Sequence, residues 1–289
     1  METVVKPKSN LSWLDYRWQL RNRARSAAQL RDLFALLARG GRVSGQSPQF
    51  SDDVFIKADR SFRFAVTPYY LSLSTGESDC PIWLQILPDA RETSDPLFTD
   101  SDPLAEESHM PVPGLTHRYP DRVLWYVTHS CAVYCRFCMR KRKVSLPASA
   151  PRQSERIQAL EYIKDHPEIQ EVILSGGDPL LLADHELLEI LREVRSIPSV
   201  LSIRIHTRIP VVLPMRIQRS FCKKLSALYP LTLVTHFNHV REISSLSRMA
   251  VERLRRAGIH VLNQSVLLKG INDSVQAQRE LLLALVRIG

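Results

Sequence analysis

From about Arg122 onward, short apolar runs rich in β-branched residues alternate with stretches in which apolar residues recur every three or four positions. The runs are VLWYV from Val123, EVIL from Glu171, LSIRI from Leu201, LTLV from Leu231 and HVLNQSVLL from His260. The last four begin about 30 residues apart, the length of a strand-helix-strand unit. Between them ERIQALEYIKDH, HELLEILREVRS and SLSRMAVERLRRAG have helical spacing; in the last, Leu246, Met249, Ala250 and Leu254 form one stripe. Asp184 suits an N-cap and Gly258 a C′ position. This alternation predicts an α/β chain of parallel strands with right-handed crossovers, as an open sheet or as part of a barrel. Both architectures bind ligands beyond the C-terminal strand ends. The loops to inspect are therefore HSCAVYCRFC, SGGDP, HTRIP, THFNH and KGIND, and each carries polar residues.

The first 115 residues are different in kind. A tryptophan-rich start (WLDYRWQLRNR), an aromatic segment (VTPYYLSL) and a proline- and acid-rich stretch from Asp95 to Pro113 predict an N-terminal helical region and an extended linker over 1–115. The core with five strand-helix units then covers 116–289. After Asn272 a helical pattern, VQAQRELLLALVRIG, ends where the spacing predicts a sixth strand.

Composition narrows the class. With 289 residues, 44% of them hydrophobic and 24% charged, the chain has globular composition. No uncharged apolar run approaches the roughly 18 residues of a membrane span, and the N-terminus lacks the apolar segment of a signal peptide. A cytoplasmic protein is the expectation. The net charge of +9 comes from basic residues scattered among acids, so a solvated surface is favoured over a nucleic-acid partner.

Three of the five cysteines, Cys131, Cys135 and Cys138, fall within eight residues after a strand, while Cys80 and Cys222 stand alone. That is no disulfide framework. Three thiolates at this spacing can hold one iron-sulfur cluster and leave one iron open to a ligand. A zinc site completed by His129, and three unrelated buried cysteines, are the alternatives. Ser175, Gly176, Gly177, Asp178 and Pro179 form either a tight turn or a place where bare backbone approaches a ligand. His236 and Gln264, at the ends of the fourth and fifth runs, read equally as rim polar groups or ligand contacts. Arg118, Tyr119 and Arg122 can clamp a phosphate and stack on a heterocycle, or can be surface residues paired with Asp121. Arg136, Arg140, Lys141, Arg142 and Lys143 make a basic run beside the cysteines.

The cysteine motif, with an aromatic Phe137 before its last member, resembles the radical S-adenosylmethionine (SAM) superfamily. Closer likeness is to its lysine 2,3-aminomutase branch. It is carried by GLTHRYPDRVL from Gly114, CRFCMRKRKV from Cys135, LSGGDPLL from Leu174, TRIPVVLPMRI from Thr207, THFNH from Thr235 and NQSVLLKGIND from Asn263. The resemblance implies a partial (β/α)6, TIM-like barrel that stops after the fifth β/α unit. It implies a [4Fe-4S] cluster on Cys131, Cys135 and Cys138, and SAM chelated to the open iron and met by Ser175, Gly176, Gly177 and Asp178, with His236 and Gln264 in the same pocket. Pyridoxal 5′-phosphate (PLP) falls to Arg118, Tyr119 and Arg122, and the substrate carboxylate to Arg140, with the other four basic residues as surface or cluster-tuning charges. The implied activity is migration of an α-amino group to the β-carbon of a free amino acid. A flavodoxin or ferredoxin would supply the electron, and homo-oligomerisation is left open.

Three departures accompany the likeness. The family's PLP lysine lies beyond residue 289, and Lys269 falls in a different block, so no Schiff-base lysine is assigned. Ser274 stands where the lysine enzymes have a zinc-binding cysteine. Phe137 stands where they have histidine. A family member that binds cluster and SAM without isomerising, the branch that modifies a lysine of elongation factor P, and a zinc-bound nucleic-acid adaptor are the competing readings.

Overall fold

In the computed structural model, which describes residues 10–45, 47, 49–94, 102–141, 143–144 and 151–289, six strands make one sheet in chain order. They are β1 (Leu115–Tyr119), β2 (Arg122–Thr128), β3 (Glu171–Gly176), β4 (Ser202–His206), β5 (Leu231–Thr235) and β6 (His260–Asn263). The chain is α/β, and β2 to β6 pair in parallel as the 30-residue spacing predicts. The pattern missed β1, which folds back antiparallel on β2 through Pro120 and Asp121. The last run is shorter than expected. The strand ends at Asn263, with one last ladder bond from the Gln264 N–H to Thr235, and the Asn263 amide both accepts from the Phe237 N–H and donates to its carbonyl, tying the chain to the loop after β5.

Helices Gln153–Asp165, Asp184–Arg195, Arg219–Ser226 and Ser245–Arg256 cross between neighbouring strands. Right-handed crossovers between adjacent strands put them all on one face. There Ile163, Leu187, Leu191, Phe221 and Leu254 bury against Val172, Leu174, Ile203, Ile205 and Leu233. Arg219–Ser226 was not expected from the pattern. The helix starts one position earlier than expected: Ala183, not Asp184, is the N-cap, its N–H bonded to Glu186, and Asp184 instead pairs with Arg216 and Lys224. The stripe of the Ser245–Arg256 helix is also rotated. Ser247, Ala250, Val251 and Leu254 are buried and Met249 is exposed, since the Ser247 hydroxyl is drawn in by the Glu242 carbonyl at 3.0 Å.

The N-terminal helices share the same core. Leu30, Leu33, Phe34, Tyr70, Ile82 and Trp83 join one cluster with the residues under the sheet. The stretch Asp102–Pro113, expected as linker, bends through a positive φ of 50° at Ala105 and buries Glu106. No helix among the described residues is long and apolar enough to cross a membrane.

Gly258 ends its helix in the left-handed region at φ 78°, its N–H on the Arg255 carbonyl and that of Ile259 on Leu254. An added Cβ there meets nothing within 4 Å, so only backbone strain is at stake. Gly258→Ala should cost about 1 kcal/mol and Gly258→Asn about half of that. Urea midpoints at unchanged slope would measure both, and a neutral alanine would refute the assignment.

Candidate active site

Register converts strand alternation into a row of functional side chains. Tyr126 pairs with Ser175, Ile173 with Arg204, His206 with Val234, and Val234 with Leu262. Residues two apart share a face of a strand. Tyr126, Ser175, His206, His236 and Gln264 therefore lie along one face at the C-terminal strand ends, opposite the helix-covered face. The His206 and His236 rings meet edge to face at 6.4 Å, and the Gln264 N–H continues the ladder onto the Thr235 carbonyl at 2.8 Å.

The three-cysteine loop follows β2 and is clamped from the N-terminal region. Arg23 donates to the Cys131 carbonyl at 2.7 Å, the Tyr134 N–H to Ala65 and the Arg136 N–H to Gln85. The Arg136 guanidinium, expected as a surface or tuning charge, is buried against Glu92, which also takes Lys141 at 3.1 Å. Lys143 pairs with Glu107 at 3.3 Å. Arg142 lies outside the described residues. Burial first, then the charges of Asp178, Cys138 and Cys135, holds the Cys131 thiol well above its ordinary value. Burial and Cys135 raise Cys138 to about 11. Thiolates at Cys131 and Cys138 therefore call for a strongly cationic partner, which fits an iron-sulfur core. Three cysteines with no fourth protein ligand among the described residues suit a cluster with one open iron, whereas zinc would want a fourth. A cluster takes each cysteine on a separate iron.

The glycine turn docks directly on this loop. A Cβ on Gly176, at φ 105°, would stand 2.4 Å from the Thr128 carbonyl oxygen, and one on Gly177 would stand 2.4 Å from that of Ser130. The glycines are thus required for close approach of two backbones. The Asp178 carboxylate turns inward, accepting from the Thr207 hydroxyl at 2.6 Å, the Arg208 N–H at 2.8 Å and the Leu180 N–H at 3.1 Å. Burial, opposed by these bonds, raises its pKa to about 6.

Arg140 reaches the same face as Tyr126. Its Nη2 pairs with Glu106 at 2.8 Å and its Nε donates to the Tyr126 hydroxyl at 3.1 Å, while Tyr126 itself donates to Glu106. Burial works against the guanidinium charge, but Tyr126 and Glu106 more than offset it. Its Nη1 makes no bond among the described residues. Arg118, Tyr119 and Arg122 come together around the β1–β2 turn, at the opposite end of β2 and about 20 Å along the strand from Thr128. Arg118 donates to the Leu104 carbonyl at 3.0 Å. Arg122 is paired with Asp121 at 2.8 Å, the partner foreseen for a surface role, but both are half exposed. An exposed pair exchanges at little cost, so the three residues still fit a phosphate.

Glu106, His206 and Arg208 are site residues that the sequence reading did not single out. Alternation in SIRIH puts Ser202, Arg204 and His206 on one face and was the available signal for the histidine. Arg208 lies in the HTRIP loop already marked for inspection, though nothing singled out the arginine within it, and no local pattern marks Glu106.

A family model described as the radical SAM superfamily matches residues 125–281. The L-lysine 2,3-aminomutase of Clostridium subterminale is 39% identical over 99% of this chain and 66% of its own length. A putative L-lysine 2,3-aminomutase of Aquifex aeolicus is 40% identical over 96% of this chain and 72% of its own. The glutamate 2,3-aminomutase of Clostridioides difficile is 37% identical over 96% and 63%. The chain spans about two thirds of the length of the curated relatives it matches.

The paired imidazoles give a pH prediction. Burial, then Arg204 and Arg140, lowers His206 to about 4; burial, then Arg208 and His206, lowers His236 to about 3. Folded values below the ordinary 6.5 mean that the stability they contribute is complete above pH 6.5 and falls as pH drops towards about 4. Both ring resonances should therefore stay at neutral positions in NMR titrations from pH 8 to about 5.5. A midpoint near 6.5 for either would refute the buried, cation-flanked environment.

Proposed function

The chain belongs to the lysine 2,3-aminomutase family of the radical SAM superfamily, and we propose that it is an aminomutase-type isomerase that moves the α-amino group of a free amino acid to the β-carbon. The observation that carries this reading is the row of Tyr126, Ser175, His206, His236 and Gln264 on one sheet face, ending at the three-cysteine loop. We take the sheet as the wall of a (β/α)6-type barrel with that face lining its interior.

When bound, the cluster and SAM supply a one-electron route to hydrogen abstraction, and PLP supplies an electrophilic carbon that carries the migrating nitrogen. Cys131, Cys135 and Cys138 would hold the cluster, and SAM would bind it at the site they leave open. The Gly176–Gly177 turn, pressed on that loop, keeps bulky side chains out of the adjoining space, while the neutral imidazole of His236 and the amide of Gln264 offer hydrogen bonds further along the row. Arg140 receives the substrate carboxylate on its Nη1 edge, with Glu106 and Tyr126 fixing the plane of the guanidinium. Arg118, Tyr119 and Arg122 hold a phosphate by exchange of Asp121. The similar proteins are named for lysine and for glutamate, so the substrate class proposed is an α-amino acid without a committed side chain. The need for reduced thiols and a low-potential electron supports a cytoplasmic setting with a flavodoxin- or ferredoxin-type donor.

Anaerobically reconstituted protein should hold about four irons with matching labile sulfide, and Cys135→Ala should lose the brown absorbance. With dithionite and SAM it should release 5′-deoxyadenosine. Stoichiometric zinc without sulfide, or no product above a triple-cysteine variant, would overturn the reading. Arg140→Lys should weaken amino-acid binding about tenfold or more while SAM affinity holds, because a lysine loses the planar fork.

A further inference from the structure

Arg208 follows β4 directly, and its backbone N–H is fixed by buried Asp178. Every nitrogen of its side chain is engaged. Nε donates to the His236 carbonyl at 3.3 Å, and Nη2 reaches Glu242 at 2.6 Å, Gln85 at 2.5 Å and the Tyr70 hydroxyl at 3.0 Å. Nη1 points at the Cys135 sulfur at 2.7 Å. Glu242 is fully buried, and its second oxygen takes the N–H groups of Asn238 and His239. The guanidinium also lies 5.2 Å from the ring centres of Phe137, inside the cysteine motif, and of Tyr70.

A buried guanidinium-carboxylate pair is a poor stabiliser, because desolvation consumes most of the attraction and apolar residues of similar volume often do as well. Its placement calls for another account. The one partner of Arg208 that changes charge density in the chemistry proposed above is the Cys135 sulfur. Hydrogen bonds to cluster sulfurs and the net charge around them set cluster potentials. A cationic donor stabilises the electron-rich reduced state more than the oxidised one, and a buried carboxylate on the far side of that cation opposes it.

We propose that Arg208 tunes the reduction potential of the cluster through Cys135, raising it, and that Glu242 sets how far. The step is one electron from an external reductant onto the cluster, with no bond made or broken and all three thiolates retained. This rests on the cluster assignment, and iron and sulfide content measured first on the native chain tests that assignment separately.

The decisive experiment is an anaerobic, dye-mediated titration of the reduced-cluster EPR signal in the native protein, Arg208→Gln and Glu242→Gln. Removing the cation leaves Glu242 unopposed, so Arg208→Gln should move the potential to more negative values by at least the equivalent of a tenfold change in the reduction equilibrium, 59 mV for one electron. Glu242→Gln is nearly isosteric, leaves the cation uncompensated, and should move it the opposite way. A purely structural role for the network predicts altered cluster occupancy without opposite shifts. If Arg208→Gln fails to take up the cluster, the positive shift of Glu242→Gln decides alone. Clusters formed in the variants with unchanged potentials, or with both shifted in the same direction, would overturn the proposal.

Discussion

The carboxylate of Asp178 is the point on which the site's loops depend. It sits at the end of β3, buried to 4% exposure, and accepts from Thr207 and Arg208 after β4. Its own N–H bonds to the Ser130 carbonyl at 2.8 Å, one residue before Cys131, and Arg208 returns to Cys135. These contacts close a ring: cysteine loop, glycine turn, β4 loop, cysteine loop. Moving any one of them shifts the other two, so a local turn motif acquires control over the cysteine geometry. The glycines matter for the same reason. With Thr128 and Ser130 carbonyl oxygens 2.4 Å from where their Cβ atoms would stand, no other residue lets β3 finish close enough for Asp178 to reach Ser130.

In-register parallel pairing does the rest of the positioning. A single-residue slip in one strand would turn its whole set to the helix-covered face. The apolar residues Ile203, Ile205 and Leu233 hold the register, since a slip would expose them and bury Arg204 and His206 instead. The hydrophobic face thus fixes where the polar row appears, and the chemistry inherits its alignment from the core. The N-terminal region contributes in a different way, through Arg23 and Ala65 in its connecting segments and Gln85 and Glu92 in its helices, all on the cysteine loop.

What the sequence displayed follows from the range of each interaction. The cysteine motif, the strand spacing, the helix ends at Gly258 and the polar loops are local patterns, and each was legible. β1 was not, because LTHRY has too few apolar residues to announce a strand and exists by pairing with β2. Glu106 sits in an acidic, proline-rich stretch that resembles solvent-exposed linker; Tyr126 and Arg140, 20 and 34 residues on, make a buried glutamate tolerable there. The Tyr70–Glu242 contact spans 172 residues, and nothing local marks either member. His206 differs, since strict alternation in SIRIH carried the information.

The same distinction applies to charge. The net +9 gives no guide to the site, where arginines come matched: Arg136 with Glu92, Arg140 with Glu106, Arg204 with Glu171 and Arg208 with Glu242. A lone guanidinium at these depths would be costly, and a lone carboxylate equally so. Pairing removes most of the net charge while leaving a directed field, with the cationic end at Cys135 for Arg208 and at the open Nη1 edge for Arg140. Two half-buried histidines held neutral between these pairs add hydrogen-bonding capacity without charge. On the function proposed above, a thiolate-bound cluster and an amino acid's carboxylate would sit close together, and that economy of charge keeps two anionic groups at such depth from repelling each other.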